Sequence, residues 1–89
     1  MTTGAWKGHI NGILYGIQFD PVLDDTVVAR VADGVVGGMY PGDREVTLDA
    51  VNEALRSPGA LNDVMETPHS EESIRDFLGK LSAALAARA

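Results

Sequence analysis

His9 and His69 are the side chains best suited to moving a proton near neutral pH, because an unperturbed imidazole titrates at about 6.5. His9 lies close to Lys7 in sequence, and the strand register derived below brings Arg30 to the same face. Such a trio would suit a small anionic ligand, or an enzyme using His9 as general base. No carboxylate on its own segment orients the His9 ring, so a structural or solvated histidine is the preferred reading. His69, within Thr67-Pro68-His69-Ser70, falls at a helix start and has no assigned chemistry.

Asp20, Asp24 and Asp25 place three carboxylates in six residues, which raises calcium or magnesium binding. The alternating acids, central glycine and distal glutamate of a dedicated calcium loop are missing, so a solvated acidic loop is expected. The run Gly34-Val35-Val36-Gly37-Gly38-Met39-Tyr40-Pro41-Gly42 is glycine-rich. A phosphate cradle needs its glycines between a strand and a helix N-terminus, with a lysine following. Here they fall inside an expected strand and no lysine follows. Ser57, Ser70, Ser73 and Ser82 sit at helix caps or within helices, and none occupies a nucleophile elbow. No catalytic residue, cofactor or metal ligand is therefore assigned, and enzymatic activity is not expected.

The composition narrows the field from another side. Eighty-nine residues with 45% hydrophobic content form a single domain, residues 1–89, with a modest core. Thirteen acidic against seven basic residues leave a net charge of −6, which argues against nucleic acid and anionic membranes as partners. The lack of cysteine removes disulfides and thiolate sites and fits a cytoplasmic location. The Met1-Thr2-Thr3-Gly4 start has no signal-peptide pattern, and no apolar run is long enough to span a bilayer.

The elements that must position these residues divide near residue 43. Asn11-Gly12 is the strongest two-residue hairpin turn, and pairing outward from it sets Ile10 opposite Ile13, Gly8 opposite Tyr15 and Trp6 opposite Ile17. Asp33-Gly34 repeats the device, gathering Val27, Ala29, Val31, Val36 and Tyr40 on one face. The expected fold is α+β: a four-stranded antiparallel sheet of two β-hairpins, with strands near 5–10, 13–19, 26–32 and 35–40, followed by two or three helices packed on it. Residues 1–42 form the β-hairpin half and residues 43–89 the helical half. Thr47 is the expected N-cap of a helix over 48–56, with Leu48, Val51 and Leu55 on its stripe. Ser57-Pro58 opens a short helix carrying Leu61, Val64 and Met65. A last helix starts at Thr67-Pro68 or Ser70, runs to about residue 87 and buries Ile74, Phe77, Leu78, Leu81 and Leu85.

In that sheet the face away from Trp6 and Tyr40 carries Leu14, Val28, Ala32, Val35 and Met39 beside Lys7, His9, Gln18 and Arg30. A solvated face should alternate more cleanly, so something covers it: a helix of the same chain, or a second polypeptide. Unprotected sheet edges would also allow pairing across a dimer. Between residues 43 and 76 lie nine carboxylates and three arginines, enough to steer a basic partner. The expected function is a small acidic cytoplasmic protein-binding domain, most concretely an inhibitor or immunity-type partner of a basic effector. Its expected contact residues are Leu14, Val28, Arg30, Met39, Asp49, Glu53, Asp63 and Glu66. The alternatives are a homodimeric adaptor or regulatory module associating through its sheet, and a ligand-binding domain or enzyme using the second sheet face.

Overall fold

The computed structural model describes residues 6–40, 42–57 and 59–88. Expectations resting on Met1–Gly4, Ala5, Pro41 and Pro58 lie outside the described residues. Within them are four helices, α1 (Trp6–Ile17), α2 (Asp25–Val36), α3 (Arg44–Arg56) and α4 (Glu71–Ala87), with one turn of 3-10 helix at Leu61–Asp63 before α4. No strand occurs among the described residues, so the four-stranded antiparallel sheet and the α+β class are overturned.

The correction has a physical cause in each half of the expected sheet. Ile10, Ile13, Leu14 and Ile17 recur at the spacing of one helix face, and all four are buried. The mirror symmetry that suits a hairpin about Asn11-Gly12 suits this stripe equally well. A hairpin, however, leaves Leu14 on the opposite side from the three isoleucines. In α2, Val27, Val28, Val31, Ala32 and Val35 form a second helical stripe, again all buried.

Capping identifies α2 more firmly than its stripe does. Asp24 is extended (φ −94°, ψ −175°) and its carboxylate accepts from the Val27 N–H at 3.1 Å, while Asp25 adds negative charge to the first turn. At the other end Gly38 has φ +87°, its N–H donates to the Val35 carbonyl at 3.2 Å, and the Met39 N–H donates to the Gly34 carbonyl at 2.8 Å. Those two bonds make a Schellman motif, so Gly37-Gly38 closes a helix and does not interrupt a strand.

Asp43, accepting from the Val46 N–H at 2.9 Å, caps α3 four residues ahead of the expected cap Thr47, which is instead buried in the first turn. Ser70, the later of the two expected starts, caps α4 through the Ser73 N–H at 3.1 Å. Its stripe of Ile74, Phe77, Leu78, Leu81 and Leu85 is wholly buried. The short helix expected after Ser57 contracts to the 3-10 turn, which buries Leu61.

The helices pack in the order α1 on α3, α3 on α4 and α4 on α2, leaving α1 and α2 on the flanks. Arg44 Nη1 donates to the Leu85 carbonyl at 3.0 Å and Ser82 Oγ to Asn52 Oδ1 at 2.8 Å, so α3 and α4 run antiparallel. Lys80 reaches Asp25 at 3.6 Å and Arg88 reaches Asp33 at 3.0 Å, the same sequence offset twice, so α2 and α4 run parallel. One hydrophobic core joins all four helices and Leu61. None of the described helices is long and apolar enough to cross a membrane.

Candidate functional site

A flanking helix needs only one apolar face, with polar or charged residues opposite. α1 departs from that rule. Directly behind its buried stripe lie Gly8, Gly12 and Tyr15, and Phe19 follows one turn further on, just past the helix end. Tyr15 is 59% exposed and Phe19 79%, and their rings meet edge to face with centroids 6.3 Å apart. From Gly8 to Phe19 the chain has no carboxylate, lysine or arginine.

Helix α1 is also the least self-supporting of the four. It has no acidic residue in its first turn and no basic residue in its last, and it contains three glycines. Each glycine inside a helix costs about 0.5–1 kcal/mol relative to alanine. At Gly16 a Cβ would stand 3.4 Å from the Tyr40 hydroxyl, about van der Waals contact. At Gly8 and Gly12 a Cβ would meet nothing within 4 Å. Gly79 of α4 is equally open, but it lies between Glu72, Asp76 and Ala83 on a charged face.

The patch continues beyond α1 through the segment that follows α2. The Tyr40 ring bridges the two flanking helices: a Cβ at Gly34 would lie 3.0 Å from its Cε2, while its hydroxyl faces Gly16. Met39, whose sulfur lies against Gly34, is 82% exposed. Arg30 pairs both nitrogens with the two oxygens of Asp20, at 3.1 and 2.5 Å. That hydrogen-bonded guanidinium holds the Asp20 carboxyl below its ordinary range. The Ile17 carbonyl at the end of α1 accepts from the Asp20 N–H at 3.0 Å and pairs with His69 Nε2 at 3.1 Å.

Of the expected contact residues, Leu14 and Val28 are core residues, because the sheet face that would have exposed them does not form. Arg30 and Met39 are exposed and belong to the patch around Tyr40. Asp49 and Glu53 are exposed one turn apart on α3, with Glu53 paired to Arg56 at 2.8 Å. Asp63 and Glu66 are exposed on the segment between α3 and α4. Lys7, His9 and Arg30 do not assemble. Arg30 holds Asp20 beyond the C-terminal end of α1, about 15 Å along the axis from Lys7, and half-buried His9 faces Gly42.

The three aspartates of the acidic loop have separate partners: Asp20 with Arg30, Asp24 with the start of α2, and Asp25 with Lys80. Among the described residues no group of three potential ligands could hold a metal ion. The serines bond within the fold, Ser70 to Ser73 and Ser82 to Asn52. A cavity of about 160 Å³ is lined by Trp6, Lys7, Ser57, Gly59, Ala60, Asp63 and Val64.

The aromatic residues Tyr15 and Phe19 are the part of this surface that reading for strands did not single out. The available signal was the helical period itself, which puts Gly8, Gly12 and Tyr15 opposite the isoleucines. No family model, curated protein or solved structure matches the chain.

Proposed function

We infer that this protein is a small helical protein-binding module that docks through the outer face of α1. One observation carries the reading: the exposed, edge-to-face pair of Tyr15 and, just past the helix end, Phe19, beside a helix face that holds glycines and no charge. Tyrosine and phenylalanine supply much contact area for few rotatable bonds, and they anchor the centres of interfaces. Apolar surface gathered this way on a soluble chain marks an association site. Gly8 and Gly12 let a partner approach the helix backbone, a use that no neighbour among the described residues makes of them.

The test places a photoreactive phenylalanine analogue at position 15 and, in a second variant, at exposed position 83 on α4. Irradiation in lysate of the native cells should give protein adducts at position 15 well above those at position 83. Equal yields, or none at position 15, would remove the reading.

A basic effector is the second reading, favoured by the exposure of Asp49, Glu53, Asp63 and Glu66. Its signature is an association rate that falls steeply as salt rises. A salt-indifferent rate would discard it.

A further inference from the structure

We propose that the occupant of the α1 face is a second copy of this chain, with the two α1 helices packed antiparallel about a two-fold axis. The proposal rests on the docking role of that face and specifies its partner.

The first argument is spacing. Gly8 and Gly12 are four residues apart, which is about 6 Å along a helix, and the Tyr15 and Phe19 ring centroids are 6.3 Å apart. In one antiparallel register Tyr15 of each copy lies over Gly12 of the other while Phe19 lies over Gly8. The same side chains fill the same slots twice, as a two-fold interface requires. With no Cβ in either slot, the rings rest on helix backbone.

Charge gives the second argument and also sets direction. Each copy carries −6, so broad association of two copies is opposed by repulsion, except where the contact surface carries no carboxylate. The outer face of α1 meets that condition. Its two ends differ: exposed Lys7 stands at the N-terminal end, and Asp20, Asp24 and Asp25 follow the C-terminal end. The register that seats both rings brings Lys7 level with Asp20 of the second copy, on both sides of the axis. A parallel arrangement would set the two acidic loops against each other. A basic partner would meet acids only at the C-terminal end of this face, where Asp20 is already paired with Arg30.

The contact is one short helix from each copy, at the small end of specific interfaces, so association in the micromolar range is expected. Sedimentation equilibrium of the full chain from about 5 to 500 μM should show the mass rise from 9.4 kDa toward twice that value. A Cβ at Gly12 meets nothing within 4 Å among the described residues, so Gly12→Leu should leave helicity intact, which circular dichroism checks, and weaken association at least tenfold. Lys7→Glu should weaken it several-fold, with the loss shrinking as salt rises.

A chain that stays at 9.4 kDa throughout, or a dimer indifferent to Gly12→Leu, overturns the proposal. If the chain is monomeric while position 15 still crosslinks to another protein, the second copy is excluded and the docking role stands. If it is monomeric and position 15 gives no adduct, both fall.

Discussion

Arg75 Nη2 donates to the Ser57 carbonyl at 2.9 Å, which places a guanidinium from α4 across the open end of α3. The same nitrogen donates to the Gly59 carbonyl at 2.7 Å, and Nη1 to the Leu55 carbonyl at 3.3 Å. Nε donates to Glu71 Oε2 at 2.9 Å, and the Glu71 carboxylate accepts the Leu61 N–H that opens the 3-10 turn. Two residues one turn apart on α4 thus satisfy backbone groups that α3 and the following loop leave without helical partners.

Arg75→Met is therefore expected to lower stability by about 2 kcal/mol, since hydrogen bonds to a charged donor are the stronger kind and several carbonyls lose theirs together. Urea unfolding measures it. Arg75→Lys should recover little, because an ammonium cannot reproduce the planar fork that reaches three carbonyls.

Gly12 and Gly34 should respond differently to alanine. Gly12→Ala meets open space and should stabilise the dilute chain by about 0.5–1 kcal/mol through helix propensity. Gly34→Ala gains the same propensity but pushes on the Tyr40 ring, which Gly16 confines from the other side. Thermal melts should place Gly34→Ala about 1 kcal/mol or more below Gly12→Ala.

The Asp20–Arg30 pair predicts a defined pH dependence. Arg30 lowers the Asp20 carboxyl below its ordinary 3.8, so the stabilisation is complete above that value and is lost as pH falls through the lower, folded-state value. Arg30 is half-exposed, which limits the pair to about 1 kcal/mol or less. Asp20→Asn should lower stability at pH 6, and its deficit against the parent chain should close on acidification below 3.8. Parallel denaturant titrations across that range would show it.

Asp24→Ala and Asp43→Ala should each cost about 1 kcal/mol, because each removes the side chain that caps a helix. Far-UV circular dichroism on marginally stable variants should lose helical signal. A hairpin over residues 26–40 would show no such dependence on Asp24.

The distribution of what was legible follows from how local each signal is. α4 could be read directly, because Ser70, two following glutamates and a five-residue stripe agree at every level. For α3, Val51 and its neighbours mark the helix, but its start lies four residues ahead of the expected cap Thr47, because the Asp43 side chain takes the capping role. In α1 and α2 the Asn-Gly and Asp-Gly pairs spoke for turns while the apolar spacing allowed either structure. The candidate surface was legible only in part: Arg30 and Met39 do border it, Leu14 and Val28 face the core, and Tyr15 and Phe19 were placed by the helix alone.

By itself, then, the sequence determined a single acidic, cysteine-free chain, the position and buried face of α4, and an excess of apolar residues in its first forty positions. Tertiary structure decided the rest. Strand propensities span only about 1 kcal/mol, whereas each aliphatic side chain moved from water into a core contributes about 1.5–3 kcal/mol. Ile10, Ile13, Leu14 and Ile17 can all be buried together only as a helix against α3, and the Val27–Val35 stripe only as a helix against α4. Once those contacts form, both glycine turns are absorbed into helices, and Tyr15 and Phe19 are left exposed among the described residues.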